Sequence, residues 1–148
     1  TDQWEYFLHL EGIEGEGKAG YAGWIVASGF EQSMNRPVGP TGAATGRPTV
    51  SPITVYKNVD TASANLYARC LRGGVVSRGT LVMSPKSSPA KTMRLEMSQI
   101  TVASVRTAAS ASGIPVETVT LIPTEITWRY RPNASGPEST TQWSSGNY

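Results

Sequence analysis

Apolar and polar residues alternate with a period of two along several separate stretches of the chain, and the period changes once. Trp4, Tyr6, Leu8 and Leu10 alternate with Glu5, Phe7 and His9, as in a strand with one apolar face. A glycine-dense turn follows over residues 12–20, and Trp24 to Met34 then reads as a second strand in which Gly29 marks a bend or bulge. Ile53 to Tyr56 forms a short strand that hands over to a helix. At about 100° per residue from Ala62, Leu66 falls near 40° and Cys70 near 80°, flanked by Ser63 and Tyr67, so these five residues form one buried stripe. Asn65, Arg69 and Arg72 lie opposite. Asp60 is placed to offer its side-chain acceptor to the first free amides, Arg69 and Arg72 suit the negative end of the dipole, and Gly73 or Gly74 supplies a left-handed stop. The pattern predicts one helix over about 61–72, lying on a sheet.

Beyond the helix, Val75 to Met83, Thr92 to Val105, Thr118 to Leu121 and Glu125 to Tyr130 read as further strands. In the second of these, Met93, Leu95 and Met97 share one parity while Ile100 and Val102 take the other. A phase switch near Ser98 and Gln99 points to a β-bulge or strong coil, as where a sheet curls into a barrel. Residues 35–52 carry Pro37, Pro40, Pro48 and Pro52 with Gly39, Gly42 and Gly46, and only Val38 and Val50 as branched aliphatics, so a long loop is expected there. The polar, low-complexity tail after Arg131 is expected to be mobile unless a partner surface holds Trp143 and Tyr148. The expectation is a mainly β, antiparallel domain over residues 1–131 and a tail over 132–148.

Composition narrows the class. The 148 residues suit one domain with a real core, and the formal net charge of +2 is too small to mark a nucleic-acid protein. No apolar run approaches the roughly 18 residues of a membrane span, and the opening TDQWEYFLHL lacks the basic region and apolar block of a signal peptide. A soluble chain without a Sec-type address is expected. The single cysteine, Cys70, excludes an internal disulfide and suits a small buried hydrophobe.

Candidate chemistry is thin. Gly12 to Ala19 nearly matches a phosphate-binding P-loop, and Gly15, Gly17 and Gly20 match GxGxxG. Ala19 replaces the magnesium-binding hydroxyl, the following segment is strand-like, and Glu14 and Glu16 would repel a phosphate, so both matches read as decoys. One histidine, His9, is poor material for nucleophilic catalysis, and metal-ligand spacings are absent. Glu96, Glu117 and Glu125 could pair in space, but nothing selects a pair. Trp128, Arg129, Tyr130 and Arg131 interleave aromatics with arginines, as on a nucleic-acid-binding barrel; strand parity gives the simpler account, with Trp128 and Tyr130 facing the core. Asn133 to Ser135 forms a glycosylation sequon without a secretory context.

The chain resembles Hcp, the haemolysin-coregulated tube protein of bacterial type VI secretion, from about Glu5 to Arg131. The opening FLHLEGIEGEGKAGYAGWI is similar to the family's strand, GxxGE turn and strand. VYKNVDTASANLYARC is similar to its VxKxxDxASPxLxxA segment and is the more specific signal. SQITVASVRTA and ITWRYRP resemble later strands. Ala64 stands where many members carry proline and Gly17 where they carry serine, and neither breaks the strand–helix frame. The resemblance implies an antiparallel β-barrel of two curled sheets with one short flanking helix and a long loop over 35–52. It further implies a homohexameric ring, stacked head-to-tail into the inner tube of a contractile machine and expelled with effector cargo. It implies no enzyme activity, no cofactor and no metal; the partners would be the chain itself, sheath and spike proteins and small secreted effectors, with no nucleic acid and no membrane insertion. Assembly would take place in the bacterial cytoplasm before release through the type VI machine. Asn35, Arg36, Thr41, Thr45, Arg47 and Thr49 are then the candidates for contact between rings, and Ser28, Glu31 and Ser33 for a lumen that meets effectors. Asp60 is a structural helix cap. The rival reading is a small single-stranded nucleic-acid module; a third, a relative with an enzymatic C-terminal extension, has only the seventeen residues after Arg131 to draw on.

Overall fold

The computed structural model describes residues 3–18 and 20–145, so expectations for Ala19 and Tyr148 lie outside the described residues. Its strands are β1 (Trp4–Leu10), β2 (Ile25–Glu31), β3 (Met34–Asn35), β4 (Thr49–Val50), β5 (Ile53–Asn58), β6 (Val75–Pro85), β7 (Thr92–Ala108), β8 (Val116–Ile122), β9 (Glu125–Arg131) and β10 (Ser139–Ser144). A single helix among the described residues, α1 (Ser63–Arg72), lies between β5 and β6. The main sheet runs β10-β9-β7-β6-β1-β2-β5-β8, and β8 also pairs with β7. That last pairing closes β7, β6, β1, β2, β5 and β8 into an antiparallel barrel, with β9 and β10 outside it. The curled sheets expected from the sequence are thus continuous with one another.

Closure depends on one strand serving two surfaces. Residues 92–98 of β7 pair with β9, and residues 101–108 pair with β8. Between them Gln99 has φ 48°, the one positive φ outside glycine among the described residues. The left-handed residue turns two successive side chains outward, so that Leu95 and Met97 before it and Ile100 and Val102 after it all enter the core. A second irregularity between Val102 and Ser104 resets the phase again and turns Val105 toward the core. The bend expected at Gly29 is also present, as a register shift between Ala27 and Gly29.

The core is aliphatic and fills the barrel: Leu8, Leu10, Ile25, Ile53, Val55, Leu81, Ile100, Val119 and Leu121 are inaccessible or nearly so. Helix α1 closes over it with Ala62, Ser63 and Leu66 buried and Tyr67 and Cys70 half-buried. Cys70 is therefore not a fully buried hydrophobe; its thiol lies 3.7 Å from the Ala103 carbonyl at the edge of the core. Gly73, with φ 74°, ends the helix and donates its amide to the Arg69 carbonyl at 3.0 Å.

Three further expectations need correction. The helix begins at Ser63, two residues later than expected, and Asp60 does not occupy its cap position: Ala62 does, without a side-chain cap, while the Asp60 carboxylate accepts the Ala62 amide (2.9 Å) ahead of the first helical turn. Residues 35–52 are not a plain loop. They form a hairpin in which Met34 pairs with Val50, Asn35 with Thr49 and Val38 with Ala44, its turn closed by the amide of Gly39 donating to the Ala43 carbonyl (2.8 Å). The tail contributes β10, which pairs with β9 from Ser139↔Tyr130 to Ser144↔Glu125 and places Trp143 against the core.

Candidate functional site

The glycine turn that imitates a phosphate loop spends its amides on the chain itself. Gly15 donates to the Gly23 carbonyl (2.8 Å) and Gly17 to the Trp24 carbonyl (2.7 Å). A Cβ on Gly15 would fall 2.5 Å from both Ile25 Cα and the Trp24 carbonyl oxygen, so glycine is needed for the close approach of two backbones. Glu16 leaves this turn to accept the Thr61 amide at 2.7 Å, tying the GxxGE turn to the entrance of α1. His9 stacks at a tilt on Trp24, with centroids 5.2 Å apart, and Phe7 lies parallel to Tyr21 at 4.1 Å, so the outward parity of β1 carries an aromatic cover. Among the described residues, no three His, Cys, Asp or Glu side chains converge as metal ligands.

Trp128 packs on the core, its indole N–H donating to Gln32 Oε1 (3.0 Å), and Tyr130 is half-buried. The arginines between them are paired. Arg129 donates to Glu96 (2.7 Å) and Glu138 (3.2 Å), and Arg131 approaches Glu138 at 3.5 Å. The hydrogen bonds that Arg129 donates to Glu96 and Glu138 push its guanidinium further toward the charged form. A phosphate backbone would have to displace these carboxylates.

The most concentrated polar chemistry lies under α1 and was not predicted. Lys57 and Glu117 face each other in the register of β5 and β8, each 1% exposed, with Nζ 2.5 Å from Oε1. Asp60 Oδ1 lies 2.9 Å from the same ammonium, and the Ser63 hydroxyl donates to Glu117 Oε1 at 2.8 Å. The Tyr67 hydroxyl donates to Glu117 Oε2, with Thr107 beside it at 3.5 Å. Burial alone would raise the Glu117 carboxyl, but hydrogen bonds from Lys57, Tyr67 and Ser63, and the Lys57 charge, outweigh it and hold the group below the usual range. Strand alternation contains the missed signal, since Lys57 shares the inward parity of Ile53 and Val55; Glu117 lies 60 residues away and could not be matched to it. Lys57, Asp60 and Ser63 are the polar residues by which this chain resembles the VxKxxDxAS segment, so that stretch is the wall of a buried ion cluster.

Asn35, Arg36, Thr41, Thr45, Arg47 and Thr49 all fall on the hairpin and are all exposed. Arg36 donates to the Gly46 carbonyl (3.2 Å) and the Thr45 amide to that of Pro37 (2.8 Å), so the arm is internally braced. At its base the Ser33 amide donates to Ser51 Oγ (2.8 Å). Glu31 and Ser33 line one open groove of about 680 Å³ with Thr54 and Thr120, whereas Ser28 lies apart at the bulge, its hydroxyl donating to the Tyr56 carbonyl (3.1 Å). Tyr56 is held protonated beyond its ordinary range by desolvation and by the Glu31 carboxylate beside it.

This architecture recurs in solved structures. A type VI secretion system effector from Yersinia pestis superposes with a TM-score of 0.80 at 21% identity, over 94% of this chain and 98% of that one. Hcp1 from Salmonella typhimurium gives 0.81 at 21%, over 97% and 95%. A type six secretion system protein gives 0.87 at 20%, over 96% of both chains. No curated protein sequence matches significantly. The model of the family described as type VI secretion system effector, Hcp, matches residues 7–130, a span that takes in both the GxxGE turn and the Lys57–Asp60–Ser63 segment. The chain therefore belongs to the Hcp family of type VI secretion tube proteins.

Proposed function

We propose that the chain forms homohexameric rings that stack head-to-tail into the inner tube of a contractile type VI machine, and that the tube leaves the bacterial cytoplasm with small effectors. Its work is assembly and transport without catalysis, with the surrounding sheath and the spike as further partners. The observation that carries the reading, beside family membership, is the braced hairpin over residues 33–51. It gives each copy an arm already ordered before contact, so little conformational entropy is lost when it meets a neighbour. In this reading Asn35, Arg36, Thr41, Thr45, Arg47 and Thr49 meet the next ring, and Glu31 and Ser33, with Ser28 nearby, face cargo. Asp60 holds the entrance of α1 and keeps the protomer's shape.

Mass measurement and negative-stain imaging of the purified chain test this. Rings of six are expected, and a strict monomer at high concentration overturns the proposal. Replacing residues 37–46 by a two-residue turn preserves β3 and β4; the expected product is single rings that no longer stack, and unchanged tubes would reject the arm's role.

A further inference from the structure

Asn65, Arg69 and Arg72 follow one line along the outer side of α1, about 10 Å long at the helical rise of about 1.5 Å per residue. That line is one wall of a groove whose other wall is the glycine turn. A cavity of about 550 Å³ is lined by His9, Glu14, Trp24 and Asn65, and a second of about 310 Å³ by Asn65, Arg69 and Arg72. Both also touch Gly12 and Ile13, so the two are continuous. Gly12 keeps the floor low: it has φ 85°, and a Cβ there would lie 3.2 Å from Arg69 Nη2.

The groove is polarised. Glu14 lies at the end that holds Trp24 and His9, and the two arginines lie at the other. Among the described residues, none of Glu14, Arg69 and Arg72 has an opposite charge within ion-pairing reach, and Arg69 donates Nη1 to the Val75 carbonyl (2.9 Å). Unpaired charges of opposite sign at the two ends select a ligand with the reverse pattern: a cation over the indole beside Glu14 and a carboxylate on the guanidiniums. Asn65, between them, carries an amide that can both donate to and accept from a peptide backbone. A polyproline II segment advances about 3.1 Å per residue with three residues per turn, so side chains three apart point to one side and stand about 9 Å from each other. We propose that this groove docks a short polyproline II segment of another protein, carrying a basic and an acidic residue three positions apart. A second copy does not supply it, because the opposite charges at that spacing in this sequence are Lys57 and Asp60, both held in the ion cluster under α1.

Two labelled peptides test the groove. Fluorescein-tagged segments containing Arg-Pro-Pro-Glu and Glu-Pro-Pro-Arg are titrated into the purified chain, with the mass of the protein followed in parallel. One order is expected to bind saturably, because the groove has a direction, and the other about tenfold more weakly. Glu14→Lys and Arg72→Glu, both at exposed positions, should each weaken the preferred peptide about tenfold without altering the mass of the assembly, and the double variant should prefer the opposite order. Equal binding of both orders, no binding to the parent, or a double variant that keeps the parent's preference overturns the proposal. Loss of rings on charge reversal also overturns it, since the groove would then be a contact between copies. A parent chain that forms no rings overturns the tube reading alone, because the peptide titration reads the groove whatever the assembly.

Discussion

Lys57 occupies an inward position between barrel and helix, where an aliphatic residue would be expected, and it is kept there by two carboxylates. A buried charge cluster adds little net stability over an apolar one, but removing a single member leaves its partners unpaired, at a cost of about 3–5 kcal/mol. Its clearest signature is in pH. The folded pKa of Glu117 lies below the unfolded value of about 4.3, so its stabilisation is complete above that value and is lost as pH falls through the lower folded one. Glu117→Gln should unfold at lower urea than the parent at pH 7, and the gap should shrink steadily below about pH 4. A gap that stays constant from pH 7 to 3 would show that the carboxylate charge is not what holds Lys57. Sequence alone could place Lys57 on the inward face by counting from Ile53. It could not name its partner, because a pairing across 60 residues is decided by the register of two strands.

Among elements, those with a long regular period were the most legible. β1, β5 and the buried stripe of α1 follow from alternation or from the helical period, and even the parity switch in β7 was visible, although its cause, the left-handed Gln99, was not. The hairpin and β10 escaped because their composition is that of loops: β3 and β4 have two residues each, and the sequence of β10, STTQWS, has little to bury. Such short pieces are specified by turn bonds and by an available edge more than by their own pattern. The glycine turn makes a sharp test at this scale. Gly15→Ala puts a methyl 2.5 Å from backbone atoms of Trp24 and Ile25, which cannot rotate away. A loss of about 1–3 kcal/mol in chemical denaturation is expected from this overpacking. Near-parent stability would mean that the turn is free to shift as a unit, and the Glu16 link to Thr61 would then be the weaker of its two anchors.

For the whole molecule, barrel closure sets what can be exposed. Six strands pair around the ring and hide their edges, so the surfaces left for association are side-chain faces, the arm and the outer edge at β10. The same closure has a consequence in time. Ile53 must find Leu121, and Tyr6 must find Met83, before the barrel exists, so the decisive pairings join parts of the chain far apart in sequence. Folding dominated by such pairings takes milliseconds to seconds. In the proposed tube, a subunit is then a slow product feeding a repetitive assembly, and tube growth from unfolded chains should begin with a lag. In refolding experiments, the main tryptophan-fluorescence phase should be independent of protein concentration and precede the concentration-dependent rise in scattering. If that fluorescence phase accelerates with concentration, neighbouring copies are helping to close the barrel, and the finished subunit is not the unit of growth.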